Sequence, residues 1–155
     1  MGYTTEFSGS VKIDPPLNEQ EIEFLNKFSE TRRMDRKKGP YYVNDTNDSG
    51  SDIIDHNSPD DSQPGLWCQW VPTDDGTAIE WDGNEKFYCS VEWMTYLIDH
   101  FLSPTAIAKT ELEFLQANHI VNGKIAAEGE DSGDVWQLVV KDNKVSVKQG
   151  RIVYK

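Results

Sequence analysis

The stretch "QPGLWCQWVPTDDGTAIEWDGNEKFY", residues 63–88, decides how the rest of the chain is read. It holds Trp67, Trp70, Trp81 and Tyr88 around a turn written Asp74-Asp75-Gly76. Two short runs rich in aromatic and β-branched residues, joined by an Asp/Gly turn, mark a β-hairpin. With Asp74-Asp75-Gly76 as a three-residue loop and the glycine left-handed, Thr73 faces Thr77. That register pairs Val71 with Ile79 and Gln69 with Trp81. Trp67, Val71, Ile79 and Trp81 then share the face that helices cover. Cys68, Trp70 and Glu80 point the other way, because Trp67 and Trp70 are an odd number of residues apart. A one-residue slip would exchange the partners across the strands.

Working outward, residues 3–13 read as a strand with Phe7, Val11 and Ile13 on one parity. Asp14-Pro15-Pro16 ends it, since proline donates nothing to a ladder. Asn18, with Glu21 three positions later, carries a capping-box signature, and Leu17 and Ile22 occupy the staple positions. The helix that follows is expected to bury Ile22, Leu25 and Phe28, with Phe24 beside them, and to turn Glu19, Glu23, Lys27 and Glu30 to water. The basic run Arg32, Arg33, Arg36, Lys37 and Lys38 reads as a solvated helix end. Residues 39–63 are rich in Asp, Ser, Asn, Gly and Pro, and Ile53 and Ile54 are their only strand-like anchor. Such a segment buries too little apolar surface to offset its ordering entropy, so it is expected to be mobile.

Downstream, Ser90 is expected to cap a helix whose stripe is Trp93, Met94, Leu97, Ile98 and Phe101, with Glu92, Asp99 and His100 outside it. Residues 105–118 are helical by composition. Residues 119–128, 136–141 and 145–148 read as strands, with Asp142-Asn143 as a hairpin turn and residues 151–155 extending the last strand or adding a short one. The result is one α+β domain, residues 1–155, with a mobile acidic loop at about 39–63. Its antiparallel sheet combines the N-terminal strand, the tryptophan-rich hairpin and a C-terminal meander, with two or three helices on one face.

A net charge of −12, from 27 acidic and 15 basic residues, disfavours direct contact with nucleic acid or anionic membranes. The two cysteines, Cys68 and Cys89, lack metal-site spacing, and the N-terminus lacks a secretory pattern. A cytoplasmic protein with reduced thiols is expected. No phosphate-binding loop, dinucleotide motif, nucleophile elbow or EF-hand spacing occurs, so no catalytic residue, metal or cofactor is expected.

The blocks "PGLWCQWVPTDDGTAIEWDGNEKFY", "EWMTYLIDHFL" and "VNGKIAAEGEDSGDVWQLVVKDNKVSV", with "YTTEFSGSVKIDPPLN" and "ETRRMDR", resemble a widespread family of small acidic bacterial proteins common in actinobacteria. The resemblance spans most of the chain outside the acidic loop and residues 104–118. It implies a bacterial protein, and it carries over no activity and no catalytic residues.

The candidate surface is therefore argued from the residues. Trp70 and Glu80 leave the covered face, Asp82 shares Glu80's side, and Tyr88 follows in the next loop. Trp70, Glu80, Asp82 and Tyr88 are the expected binding residues. They suggest a non-enzymatic, regulatory or protein-binding role for an acidic, tryptophan-rich surface. The alternatives are a small enzyme or ligand-binding domain with a pocket of Trp70, Glu80, Trp93 and Tyr88, or an acidic nucleic-acid mimic that occupies a basic partner.

Overall fold

A computed structural model of the chain describes residues 3–43 and 52–151. The elements are β1 (Thr5–Asp14), α1 (Glu19–Glu30), β2 (Asp35–Arg36), β3 (Ile53–Asp55), β4 (Trp70–Pro72), β5 (Ala78–Trp81), α2 (Ser90–Leu97), β6 (Ile120–Gly129), β7 (Val135–Lys141) and β8 (Lys144–Gln149). Six strands form one antiparallel sheet in the order β4-β5-β1-β6-β7-β8, and β2 and β3 pair separately. The class is α+β. Among the described residues, no helix is long and apolar enough to cross a membrane.

The sheet's inner face follows from strand alternation. Phe7, Val11 and Ile13 of β1 face inward beside Val121, Ile125 and Ala127 of β6, and Leu138 and Val140 of β7 continue the layer. The sheet is curled. Six strands laid flat would span about 24 Å, about twice a helix diameter, yet α2 touches both edge strands, β4 and β8. Gly123 serves this bend: it faces Val11 with φ +148°, and a Cβ there would lie 2.9 Å from the Val11 Cα.

α1 begins as the capping signature predicts. The Asn18 carboxamide oxygen accepts the Glu21 N–H at 2.7 Å, and the Glu21 carboxylate accepts the Asn18 N–H at 2.9 Å. Phe24, Leu25 and Phe28 are buried as expected. Trp93, Met94, Leu97, Ile98 and Phe101 are buried as well, on α2 and the π-helical turn Ile98–Leu102 that continues it. The Asp142-Asn143 turn is confirmed by φ values of +47° and +69°, the pair of left-handed residues that a two-residue hairpin requires.

Several expectations change. The hairpin is one residue out of register: Trp70 pairs with Trp81, Val71 with Glu80 and Pro72 with Ile79. Asp75 is the cause. Its carboxylate accepts from the Thr77 N–H, the Thr77 hydroxyl and the Thr73 hydroxyl, at 3.0, 2.7 and 2.8 Å, and so recruits Thr77 into a four-residue loop closed by Thr73 and Ala78. The faces are exchanged in consequence: Cys68, Trp70 and Pro72 point into the core with Ile79. Ser90 is the first helical residue, and its predecessor Cys89 sits at the cap with left-handed backbone and no capping side chain.

Residues 105–118 form only a short 3-10 turn, Ile107–Thr110, instead of a helix. Here tertiary contacts override propensity: the Phe114 carbonyl and the Gln116 N–H bond to the side chains of Asn18 and Glu21. The basic run is not a solvated end, since Arg33 and Arg36 are buried. Arg33 donates to the carbonyls of Thr31, Pro40 and Tyr42 while lying 4.1 Å above the Phe28 ring. Of the acidic loop, residues 44–51 lie outside the described residues, as do residues 152–155 at the end of the chain. Within residues 52–63, Ile53–Asp55 forms β3 against β2.

Candidate functional site

The exchanged hairpin faces create the site. With Cys68 and Trp70 turned inward, the residues of opposite parity, exposed Trp67, buried Gln69 and half-buried Val71, line a cleft of about 890 Å³. α1 contributes Asn26, Ser29 and Glu30 from the side not committed to the core. The segment ahead of β4 adds Pro59, Pro64, Gly65 and Leu66. The loop after β5 adds Asp82, Asn84, Glu85, Lys86, Tyr88 and Cys89.

That loop is held at several points. The Asp82 N–H donates to the Gln69 carbonyl at 3.0 Å, and the Gln69 carboxamide donates to the Glu85 carbonyl at 3.2 Å. The Asp82 carboxylate accepts the Asn84 N–H at 2.9 Å. Phe87 anchors the loop in the core, with its ring edge-on to Trp70 at 5.0 Å. Its neighbour Tyr88 is consequently outside. Lys86 and Cys89 adopt φ of +58° and +59°, a left-handed backbone that side-chain-bearing residues rarely take. Such strain persists only where surrounding contacts impose it, and it clusters at functional sites.

Two rings in the cleft lack company. Trp70, Trp81, Trp93 and Trp136 each pack against another aromatic ring. Trp67 and Tyr88 pack against none among the described residues and remain 44% and 59% exposed. Among the described residues, the charged side chains of the lining are Glu30, Asp82 and Glu85 and the cation Lys86. The Cys89 thiol, pushed up by partial burial and then by Glu92, lies in the same lining. Trp93, fully buried, has an indole N–H without an acceptor among the described residues, and a Cβ on Gly65 of the cleft lining would lie 3.6 Å from that nitrogen.

Of the four expected binding residues, Asp82 and Tyr88 come together here. Glu80 is exposed on the uncovered side of the sheet, between Ser10 and Val71, and does not line the cleft. Trp70 is 1% exposed, and its indole N–H donates to the Ser90 carbonyl at 2.8 Å, so it ties the hairpin to α2. Trp70 and Trp93 both lie in the core, so they form no pocket with Glu80 and Tyr88. Trp67 was missed as a site residue. Its signal was the preceding Pro64-Gly65, a turn dipeptide that separates it from the strand proper.

Two other polar clusters serve the framework. His119 and Glu21 are fully buried, with Nε2 2.9 Å from the carboxylate and Nδ1 2.6 Å from the Pro15 carbonyl. Both ring nitrogens face acceptors, so both carry protons and the pair is ionised. The Tyr41 hydroxyl lies 2.6 Å from His100 Nδ1, and Tyr96 stacks on that imidazole at 3.8 Å. Burial holds His100 below and Tyr41 above their ordinary values, so the phenol donates to a neutral imidazole. Among the described residues, no group of three or more His, Cys, Asp or Glu could hold a metal ion.

No protein-family model, curated protein or solved structure matches this chain.

Proposed function

We propose that this chain is a non-enzymatic, cytoplasmic binding protein, regulatory in role, whose working surface is the cleft between α1 and the loop after β5. One observation carries the reading: Trp67, alone among the described tryptophans, is withheld from every ring contact with a described residue and stands exposed in the same cleft as Tyr88. Exposed indole is costly in water, and tryptophan and tyrosine are the residue types that most often anchor a protein partner. The apolar Leu66, Val71, Pro59 and Pro64 supply the centre of such a contact, and the acids supply a polar rim.

The site has the size of a small-molecule pocket, which keeps a ligand-binding reading beside this one. No histidine lies in its lining to serve as a general base near neutral pH, which favours binding over catalysis. The mimic reading fits less well. On the uncovered sheet face Lys12, Lys124, Lys141 and Lys148 interleave with Glu6, Glu80 and Glu128, so the acids there form no continuous surface.

The test compares wild type with a Trp67→Ala/Tyr88→Ala double variant. A partner captured from lysate is purified and its affinity for each protein measured, with melting curves as the control. A drop of at least about tenfold is expected when two aromatic anchors are removed from a variant whose melting curve shows that it remains folded. Equal affinity for a correctly folded double variant would move the working surface elsewhere.

A further inference from the structure

Resting on the binding reading above, we infer that the cleft selects an arginine side chain on a segment of the partner protein. The cleft has the parts that a guanidinium needs. Trp67 and Tyr88 offer unpartnered aromatic faces, and a planar cation stacks on such faces by electrostatic attraction to the ring. Among the described residues, Glu30, Asp82 and Glu85 line the same space with Lys86 as the one cation, so the local charge favours a cation. The Asp82 carboxylate is held in place by the Asn84 N–H, and a fixed carboxylate suits the two-pronged geometry of arginine better than the point charge of lysine. The molecule already uses this packing internally: Arg33 lies over Phe28 at 4.1 Å and Arg36 over Tyr42 at 4.5 Å. In the cleft the rings and the acids are present, and the cation is what the partner would bring.

The pieces are also arranged to keep their places. Phe87 in the core and the Gln69–Glu85 hydrogen bond fix the loop that carries Asp82, Glu85 and Tyr88, so little ordering cost falls on binding. An apolar peptide without a cation would satisfy Trp67 but leave the acids desolvated beside it, which is the basis of selection.

The experiment is a titration of the full chain, labelled with nitrogen-15, with the peptide acetyl-Gly-Ser-Leu-Arg-Leu-Ser-Gly-amide. Two matched peptides carry citrulline, the neutral isostere, or lysine in place of arginine, and a fourth carries phenylalanine. The Trp67 indole N–H resonance is assigned with Trp67→Phe, and affinity is read from its shift and from the amides of residues 82–89. The arginine peptide should bind about tenfold more tightly than the citrulline peptide, and its advantage should shrink in 0.5 M salt (both about what one stacked, partly screened cation provides). Asp82→Asn, which keeps an oxygen for the Asn84 N–H, and Glu85→Gln should each reduce the arginine advantage without lowering the melting temperature. Citrulline or phenylalanine binding as tightly as arginine would overturn cation selection while leaving a partner-binding cleft. Lysine matching arginine would overturn the preference for a planar cation. If no peptide moved the Trp67 or loop resonances, both the arginine assignment and the binding reading of this cleft would fail.

Discussion

Glu21 and His119 form a fully buried ion pair whose charge state makes stability depend on pH. Burial alone would raise the Glu21 carboxyl, but the His119 imidazole and the N–H groups of Asn18 and Gln116 outweigh it and hold it below its ordinary value. Burial alone would likewise lower His119, and the Glu21 carboxylate and Pro15 carbonyl outweigh that and raise it. The raised histidine contributes stability that is complete below about pH 6.5 and is lost as pH climbs through its folded value. The lowered carboxylate contributes stability present above about pH 4.3 and lost as pH falls through its folded value. Thermal melts from pH 3 to 9 should therefore show a plateau between those limits with a decline on each side. Glu21→Gln should cost about 3–5 kcal/mol within the plateau, since it strands a buried imidazolium, and should flatten the alkaline limb. A wild-type curve level to pH 9 would remove the pair from this role.

The two thiols differ in the same local terms. Burial pushes Cys68 up to about 12, whereas Cys89 is exposed in the cleft lining. Reaction with a thiol reagent at pH 8 should modify one cysteine in the folded protein, identified as Cys89 by peptide mapping. Cys68 should react only when denaturant is added. Rapid modification of both in the native state would contradict the burial of Cys68.

At the scale of elements, the hairpin predicts opposite fates for its neighbouring tryptophans. Trp70→Ala leaves a large cavity and removes the indole hydrogen bond to the Ser90 carbonyl, at a cost of about 3–5 kcal/mol. Trp67→Ala removes a half-exposed ring that packs against no other ring among the described residues and should cost clearly less, about 1–2 kcal/mol. Denaturant melts of the two variants decide this, and equal destabilisation would mean that Trp67 is packed after all. The turn that sets the register also joins the hairpin to α1. Gly76 has φ +74°, and a Cβ there would lie 2.9 Å from both the Leu17 carbonyl oxygen and Ile22 Cδ1. Its own carbonyl accepts the Leu17 N–H at 2.9 Å. Gly76→Ala should thus destabilise by more than about 1 kcal/mol, through strain and steric displacement together. A melting temperature equal to wild type would show that the junction yields freely.

At the scale of the whole molecule, one continuous hydrophobic cluster runs from Phe7 and Trp70 at the hairpin through Phe28 and Trp93 to Leu138 and Val140. Helices and sheet share it, so they should unfold together. Tryptophan fluorescence and far-ultraviolet circular dichroism should give coincident denaturation curves, and separated midpoints would divide the core into independent parts. Much of this architecture was legible in the sequence because its signals are local. Asn18 and Glu21 announce the start of α1, the spacing of Trp93, Leu97 and Phe101 marks the buried stripe of α2, and the parity of Phe7, Val11 and Ile13 orients β1. The antiparallel α+β class follows from those periodicities. What the tertiary structure alone decided lies where distant groups compete for the same backbone or side chain. Asp75 chose the hairpin register by recruiting Thr77, and with it sent Trp70 inward and Trp67 outward. Asn18 and Glu21 took the backbone partners that a helix over residues 105–118 would have used. Loop carbonyls and the Phe28 ring drew Arg33 into the interior. Strand alternation tells which residues share a face; which face meets the core is set by one residue of register, and that is a three-dimensional choice.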